Sequence, residues 1–287
     1  MRRVSALGVL LALAACSPSP DAPDDVRTPA PASTPPATSA AGPPAVPGIA
    51  AEAVRLRTDE AVGGRFQVRV TDSGDAPFTA FDVALAVPGF ATLPPTPVTA
   101  AFVPGRVIDL PVPYGAVDCA VVPGPAAARL TVGRPDGTVE ALTVPLAGDV
   151  PARVHAEECA AERVASVAAL RVTDLQARDD ELGGRLAVRR VAGEEPVAVR
   201  RIGRSVLVDV DADLPLEIAG REGAADVPVT FRPATCEPHV LAETKKPYAF
   251  PLEIALGEEP PLVVDLPVDD ALREALADLV RRVCDPG

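Results

Sequence analysis

Two short segments of the sequence place a histidine close to a cysteine, and both residue types can ligate a metal ion. The first is His155-Ala156-Glu157-Glu158-Cys159, and the second is Cys236-Glu237-Pro238-His239. If the thiols were free, the sulfur and imidazole groups of the two segments could together bind zinc or copper. Disulfide bonds would instead use up the sulfur ligands. The rest of the sequence favours that interpretation, so we expect neither a metal nor a cofactor.

The five cysteines fall into two groups. Cys16 follows an N-terminal apolar run, whereas the other four are spread along the chain behind it: Cys119, Cys159, Cys236 and Cys284. An even set of cysteines in an exported protein is more often bridged than free, and four cysteines allow three pairings. The repeat described below favours Cys119–Cys159 with Cys236–Cys284, because each repeat then closes on itself. In the chain-entropy model each bridge contributes about 4 kcal/mol.

The N-terminal residues have the pattern of an export signal. Met1-Arg2-Arg3 is cationic, and the apolar run at residues 4–14 is too short to span a bilayer, which needs about 20 residues. The run ends in Leu13-Ala14-Ala15-Cys16, which resembles the bacterial lipobox. In proteins with that motif the cysteine receives lipid, including palmitate, and the peptide is cut before it. The resemblance implies a signal peptide at 1–15 and a lipid anchor on the outer face of the cell membrane.

The next segment has the composition of a disordered linker. Ten prolines lie among small and polar residues at positions 17–48. Such a segment buries too little apolar surface to offset its ordering entropy, so we expect residues 16–48 to be an extended, lipid-anchored linker. The whole chain carries a formal net charge of −13 and has no tryptophan. An acidic chain is a poor partner for nucleic acid, and we expect none.

An internal repeat organises the rest of the sequence. Residues 61–69 resemble residues 181–189 at an offset of 120, and residues 112–119 align with 229–236 at an offset of 117. Both segments and the second cysteine of each unit follow in the same order. A period of this length predicts a domain duplication rather than a solenoid. We therefore expect one domain at 49–160 and a homologous one at 161–287.

Within each unit the hydrophobic period is mostly two. Phe66, Val68 and Val70 alternate with polar residues, and a similar apolar stripe begins at Phe81. Gly63-Gly64 and Gly183-Gly184 lie between such runs, where hairpin turns need positive φ. We predict a mainly β fold of tandem immunoglobulin-like β-sandwich domains, with these apolar stripes in the cores.

One segment has helical spacing instead. Apolar residues recur every three or four positions between Val268 and Val283, which predicts an amphipathic C-terminal helix in the second domain. Asp269 or Asp270 can cap its start. The equivalent stretch of the first unit, from Val150 to Cys159, is expected to form a shorter or weaker helix.

Residues 236–246 differ from the alanine- and valine-rich background. They hold both lysines of the chain and one of its two histidines. They resemble a segment of uncharacterised lipoproteins of GC-rich Gram-positive bacteria, of the form Cys-Asp-Pro-His-x-x-Ala-Glu-Asp-Lys. Here Glu237 and Thr244 replace the two aspartates. The resemblance implies an exported lipoprotein and brings no assigned activity. Two interpretations stay open: a polar loop that caps the sandwich, or a ligand or partner contact built from His239, Glu243, Lys245 and Lys246.

The sequence thus favours a non-enzymatic protein. It has no nucleophile elbow, no His-Glu-x-x-His segment, no phosphate-binding loop and no Ser-x-x-Lys. We expect a membrane-anchored binding or scaffold module whose partner is an unknown envelope protein or polymer. The alternative is a lipoprotein that handles a small ligand or a metal through the His239 loop. A hydrolase that uses carboxylates alone is a third possibility.

Overall fold

The computed structural model describes residues 42–285, so the predicted signal peptide, Cys16 and most of the predicted linker lie outside the described residues. This part of the chain is mainly β, with several sheets and fifteen strands, an arrangement consistent with a β-sandwich. None of its helices combines the length and the apolar character that a membrane crossing requires.

Seven strands form the sheet of the first half. The elements are β1 (Ile49–Val54), α1 (Arg57–Val62), β2 (Arg65–Asp72), β3 (Phe78–Ala86), β4 (Thr96–Phe102), β5 (Val107–Pro113), β6 (Ala127–Gly133) and β7 (Val139–Ala147). The strand order is β4-β3-β6-β7-β1-β2-β5, and every neighbouring pair is antiparallel except β1 with β7. Alternate valines and phenylalanines of these strands fill a single buried core, which includes Phe66, Phe102 and Leu130.

The second half has two four-stranded sheets. Its elements are α2 (Val150–Val167), β8 (Ala168–Ala177), β9 (Leu182–Arg190), β10 (Val197–Ile202), β11 (Val208–Ala212), β12 (Leu216–Ile218), β13 (Ala224–Pro233), α3 (Pro238–Glu243), β14 (Pro251–Leu256), β15 (Leu262–Asp265) and α4 (Asp270–Cys284). The two sheets have the orders β12-β10-β14-β15 and β11-β13-β9-β8. Between them lies a second core, which includes Leu186, Phe231 and Phe250.

Helix α2 belongs to both halves. Val150 and Val154 at its start lie in the first core, and Val164 and Val167 at its end lie in the second. The expected boundary between residues 160 and 161 therefore falls inside this helix. The first helix was predicted to be shorter or weaker than α4. With 18 residues against 15 it is longer, and only the weaker amphipathic pattern holds. Its apolar side chains are divided between two cores, and the sequence therefore lacks one continuous apolar stripe.

Helix α4 packs one face onto the second core. Leu272, Leu276 and Leu279 are buried there. The Asp269 side chain caps the helix, since its Oδ1 accepts a hydrogen bond from the backbone N–H of Leu272 at 2.9 Å.

The two glycine pairs play different roles. Gly63 and Gly64 have the expected positive φ, 72° and 66°, but they follow α1 and Gly63 is the C-cap of that helix, so the β1–β2 connection is longer than the predicted hairpin turn. Gly183 and Gly184 lie inside β9, so the predicted hairpin turn at that pair was wrong. Strand β8 has an irregular register between Thr173 and Gln176, opposite this pair. A Cβ on Gly184 would lie 3.1 Å from the carbonyl oxygen of Thr173. Gly184 is needed for this close approach of two backbones rather than for a turn.

Two residues of the predicted core stripes are exposed: Phe81, and Val206, which begins the alternating segment at residues 206–211. The register of β3 shifts between Ala80 and Asp82 against both neighbouring strands. A bulge of this kind inserts one unpaired residue, here Phe81. Phe81 is 42% exposed, whereas Val83 is buried as expected.

Prolines occupy the edge strand β5. Among the strands of residues 42–285 it pairs only with β2, and Pro111 and Pro113 lie opposite Gln67 and Arg65. Because proline has no N–H, it fits in a strand where that group would point away from the partner strand. The free edge of β5 thus has two positions that cannot donate a hydrogen bond.

Candidate binding groove at the junction of the two halves

The four cysteines of the described chain form the two expected disulfides. Cys119 pairs with Cys159, and Cys236 pairs with Cys284, with Cα–Cα distances of 5.6 and 5.1 Å. All four sulfur atoms are therefore unavailable as metal ligands. Within residues 42–285, no group of three or more histidine, cysteine or acidic side chains is arranged to hold a metal ion.

The segment after Cys236 forms the short helix α3. Pro238 occupies its first turn, where a missing N–H costs no hydrogen bond, and Thr244 ends it. No residue of α3 is buried. This helix and the loop behind it form one wall of an open cleft of about 650 Å³, here called the His239 cleft. All four residues selected from the sequence line this cleft: His239, Glu243, Lys245 and Lys246.

The opposite wall of the His239 cleft comes from the first half of the chain. Arg57 and Glu60 on α1 line it. Val206 of the second half also lines the cleft. Helix α1 is held in place by the fully buried carboxylate of Asp59. That carboxylate accepts hydrogen bonds from the backbone N–H of Leu56 at 3.0 Å, from Arg65 Nε at 3.0 Å and from Gln67 Nε2 at 2.6 Å. A buried carboxylate with three donors fixes the orientation of the short helix that presents Arg57 and Glu60.

Charges of both signs line the His239 cleft. Arg57 and Lys245 are cationic, and Glu60 and Glu243 are anionic. Lys246 forms an ion pair with Asp265 of β15 at 2.6 Å, and both side chains are partly exposed. Both lysines of this acidic chain therefore lie in one cleft, next to carboxylates.

A second cleft adjoins the first. It has a volume of about 680 Å³ and shares Glu60 and Lys246 with the His239 cleft. Its walls include Tyr114 and Glu158, so it is called the Tyr114 cleft here. The two clefts together, with their shared residues Glu60 and Lys246, are called the junction groove.

Tyr114 has a fixed geometry in the Tyr114 cleft. Its hydroxyl donates a hydrogen bond to Glu158 Oε1 at 2.7 Å, and its ring packs against Phe66 and Phe90 at centroid distances of 6.0 and 5.6 Å. Partial burial, and next the hydrogen bond to Glu158, raises the pKa of Tyr114 to about 12. The phenol therefore stays protonated at neutral pH and serves as a hydrogen-bond donor rather than as a base.

Exposed apolar side chains also line the junction groove. Val206 lines the His239 cleft and Val263 lines the Tyr114 cleft, and they are 55% and 61% exposed. A surface that combines exposed valines, an anchored tyrosine and charges of both signs resembles the rim and core of a protein interaction surface.

Sequence reasoning found one wall of the junction groove and missed the other. The unusual composition of residues 236–246 indicated the α3 wall. No signal pointed to Arg57, Glu60 or Tyr114, because they are ordinary residue types more than 120 positions away from that segment. His155, which the metal hypothesis had grouped with His239, is buried elsewhere and does not line the groove.

No protein-family model and no curated protein sequence matches the chain. Among solved structures, a crystal structure of red sea bream transglutaminase aligns at 9% identity and a TM-score of 0.23, covering 77% of this chain and 31% of that one. A protein of unknown function from Porphyromonas gingivalis W83 aligns at 16% identity and a TM-score of 0.21, covering 76% of this chain and 97% of that one. At these TM-scores neither likeness bears on function.

Proposed function

We propose that this protein is a lipid-anchored lipoprotein of the cell envelope and acts there as a non-catalytic binding or scaffold module. Its partner is an envelope protein or polymer that contacts the junction groove. The observation that carries this proposal is the groove itself, which combines exposed valines with charges from both halves of the chain. The groups in the groove suit binding, since Tyr114 and Lys246 are each paired with a carboxylate.

The sequence supports the anchor. A cationic start, a short apolar run and Leu13-Ala14-Ala15-Cys16 form the lipobox pattern, and the proline-rich segment behind it suits a spacer. The segment at residues 236–246 supports kinship with uncharacterised lipoproteins of GC-rich Gram-positive bacteria. The two disulfides agree with export, because such bonds persist in oxidising compartments.

We also propose that the two halves are tandem immunoglobulin-like domains that arose by duplication. The strand orders support this, since β4-β3-β6-β7 in the first half matches β12-β10-β14-β15 in the second. In the same way β1-β2-β5 matches β8-β9-β13. Each half ends in a helix that carries one cysteine of a disulfide. The other cysteine of the pair follows β5 in the first half and β13 in the second.

An irregularity shared by the two halves gives independent support. The register shifts in β3 between Ala80 and Asp82, and it shifts in β10 between Val199 and Arg201. The two bulges therefore lie about 119 residues from each other, which is close to the offsets of 120 and 117 between the repeated sequence segments. Bulges tend to persist within protein families, so a matched pair favours common descent over convergence.

A photo-crosslinking experiment tests the binding role. A photoreactive amino acid replaces Val206 in the junction groove, and a matched variant carries it at Val139, which is similarly exposed and lies outside the groove. We expect a discrete crosslinked species in intact cells from position 206 alone, and its loss when Lys245→Glu is added. The same products from both positions would contradict the proposal.

The anchor has a separate test. Wild type should incorporate labelled palmitate and fractionate with membranes, and Cys16→Ala should do neither. A Cys16→Ala protein that still fractionates with membranes would contradict the lipid anchor, without affecting the crosslinking result.

A second candidate function is the handling of a small ligand in the His239 cleft. The volume of about 650 Å³ favours it, because small-molecule sites commonly measure about 300–1,000 Å³. Native mass spectrometry and metal analysis of the purified, oxidised protein test it. A small molecule or a stoichiometric metal that is present in wild type and absent from His239→Ala would favour this function over the first.

A further inference from the structure

The two disulfides differ in the groups that face their sulfur atoms. The Sγ atom of Cys159 lies 3.8 Å from Nδ1 of His155, one turn earlier on α2. In the second half the residue one turn before Cys284 is Val280, a buried aliphatic side chain. The two bridges otherwise occupy the same place in the two halves, so the protein contains its own matched comparison.

The hydrogen bond made by His155 determines which ring nitrogen carries the hydrogen and which one presents a lone pair. Nε2 lies 3.1 Å from the backbone oxygen of Asp118, and a carbonyl oxygen can only accept. Nε2 therefore carries the hydrogen, and Nδ1 presents its lone pair towards Cys159. The ring is 6% exposed and packs edge-on against Phe90 at 5.8 Å, so it is held in this orientation.

The two cysteines of this bridge are unequally exposed. Cys119 is exposed and Cys159 is only partly so. A thiol from solvent can therefore reach Cys119 first, which makes Cys159 the leaving group. A leaving thiolate departs faster when it is stabilised, and a neighbouring imidazolium is a known means of stabilising one.

We propose that Cys119–Cys159 is a thiol-exchange site that reacts with small external thiols, and that His155 is its proton acceptor. The sulfur of the external thiol forms a bond to Cys119 as the Cys119–Cys159 bond breaks. The electron pair of that bond remains on Cys159 as a thiolate. The external thiol attacks as a thiolate after it has lost its proton to solvent, and Nδ1 of His155 takes up a proton from solvent, so that the imidazolium pairs with the Cys159 thiolate. A second external thiol releases Cys119 as a free thiol and leaves as an external disulfide.

One acidic group defines which thiols react best. Glu162 Oε2 lies 3.3 Å from Sγ of Cys119. A bridged sulfur carries no hydrogen, so this contact is not a hydrogen bond, and the carboxylate repels an anionic attacker. Cationic thiols should therefore exchange faster than anionic ones of similar size.

The rates of the two disulfides in the wild-type chain provide the first test. The oxidised full-length protein is treated with cysteamine, quenched with an alkylating reagent and digested, and each cysteine is quantified by mass spectrometry. We expect Cys119–Cys159 to open about tenfold faster than Cys236–Cys284. Equal rates, or faster opening of the second bridge, would overturn the proposal without any substitution.

Two substitutions then test the role of His155. His155→Gln should reduce the rate advantage of the first bridge about tenfold, and Val280→His should accelerate opening of the second. Circular dichroism confirms that each variant is folded before its rates are compared. Unchanged rates in folded His155→Gln would overturn the role of the imidazole. Exposure does not distinguish the bridges, because Cys236 is exposed and Cys284 partly exposed, as Cys119 and Cys159 are.

The charge of the thiol is tested with a matched pair of reagents. Cysteamine should open the first bridge several-fold faster than mercaptoethanesulfonate, after correction for their rates with a model disulfide. Glu162→Gln should bring the ratio of the two reagents' rates closer to one. Glu157→Gln on the same helix serves as a control. A ratio that Glu162→Gln leaves unchanged would remove Glu162 from the site.

Discussion

The buried carboxylate of Asp59 shows how one side chain can fix a wall of the junction groove. Its three hydrogen-bond donors come from the residue before α1 and from strand β2. Removing it would leave the buried Gln67 and the part-buried backbone N–H of Leu56 without their partner. Such losses cost more than the net value of the bonds themselves.

We therefore expect Asp59→Ala to lower the free energy of unfolding by about 2–4 kcal/mol. Chemical denaturation measures the change. Glu60→Ala is the control, because Glu60 is the next residue of α1 and is exposed. It should change stability by less than about 0.5 kcal/mol. Equal effects of the two substitutions would mean that Asp59 does not hold the helix.

Glu181 leads to a prediction about pH. It accepts hydrogen bonds from Arg178 at 2.7 Å and from Arg232 at 2.5 Å. The bond from Arg178, followed by that from Arg232, lowers the pKa of Glu181 below its usual value of 4.5. A carboxylate with a lowered folded-state pKa stabilises the fold above its unfolded-state pKa, and this contribution is lost as the pH falls through the folded value.

Wild type should therefore be more stable than Glu181→Gln at neutral pH, and the difference should shrink as the pH falls below about 4. Thermal unfolding of both proteins at several pH values measures it. A difference that is constant between neutral and strongly acidic pH would indicate that the ionised carboxylate is not responsible.

At the scale of elements, strand β9 depends on close contact with the irregular stretch of β8. A Cβ on Gly184 would lie 3.0 Å from Cγ1 of Val172 and 3.1 Å from the Thr173 oxygen, whereas one on Gly183 would meet nothing nearer than 3.8 Å. We expect Gly184→Ala to destabilise the protein by about 1–3 kcal/mol. Gly183→Ala should change stability by less than about 1 kcal/mol. Chemical denaturation compares the two, and similar effects would mean that β8 moves aside freely.

The elements also show how far alternation in the sequence predicts a β fold. The apolar stripe of β2 is buried as predicted, with Phe66, Val68 and Val70 in the core. Alternation failed at Phe81, because a bulge adds one residue and reverses the facing of the strand. It also misjudged Gln67, which is 5% exposed because α1 covers the other face of β2. Bulges and covering helices depend on contacts between distant segments, and a local period cannot report them.

At the scale of the whole molecule, helix α2 connects the two cores. Val154 is buried in the first core and Val164 in the second, on one continuous helix. Unfolding either core would remove the packing surface of its share of α2. The halves should therefore unfold together rather than as independent domains.

We expect a single unfolding transition in calorimetry. Val154→Ala and Val164→Ala should each lower the free energy of unfolding by about 1–3 kcal/mol and so move that one transition to a lower temperature. A surface substitution such as Val139→Ala serves as the control, since Val139 is 61% exposed. Two transitions, with each core variant moving only one of them, would contradict the coupling.

The sequence predicted the two disulfides because the repeated segments and their cysteines follow in the same order and at nearly the same spacing in both halves. It could not predict the junction groove in the same way. Arg57 and His239 lie 182 positions apart, and they line one cleft only because both halves pack around α2. No periodicity or motif carries information about how two domains face each other.

The prolines at the edge of β5 also restrict how copies of the protein can associate. At high concentration the exposed edge strands of β proteins can pair with one another and aggregate, because an edge strand presents a regular row of unpaired backbone donors and acceptors. Pro111 and Pro113 interrupt that row at two of the seven positions of the strand. Where the protein is concentrated, this border should resist fibril-like stacking.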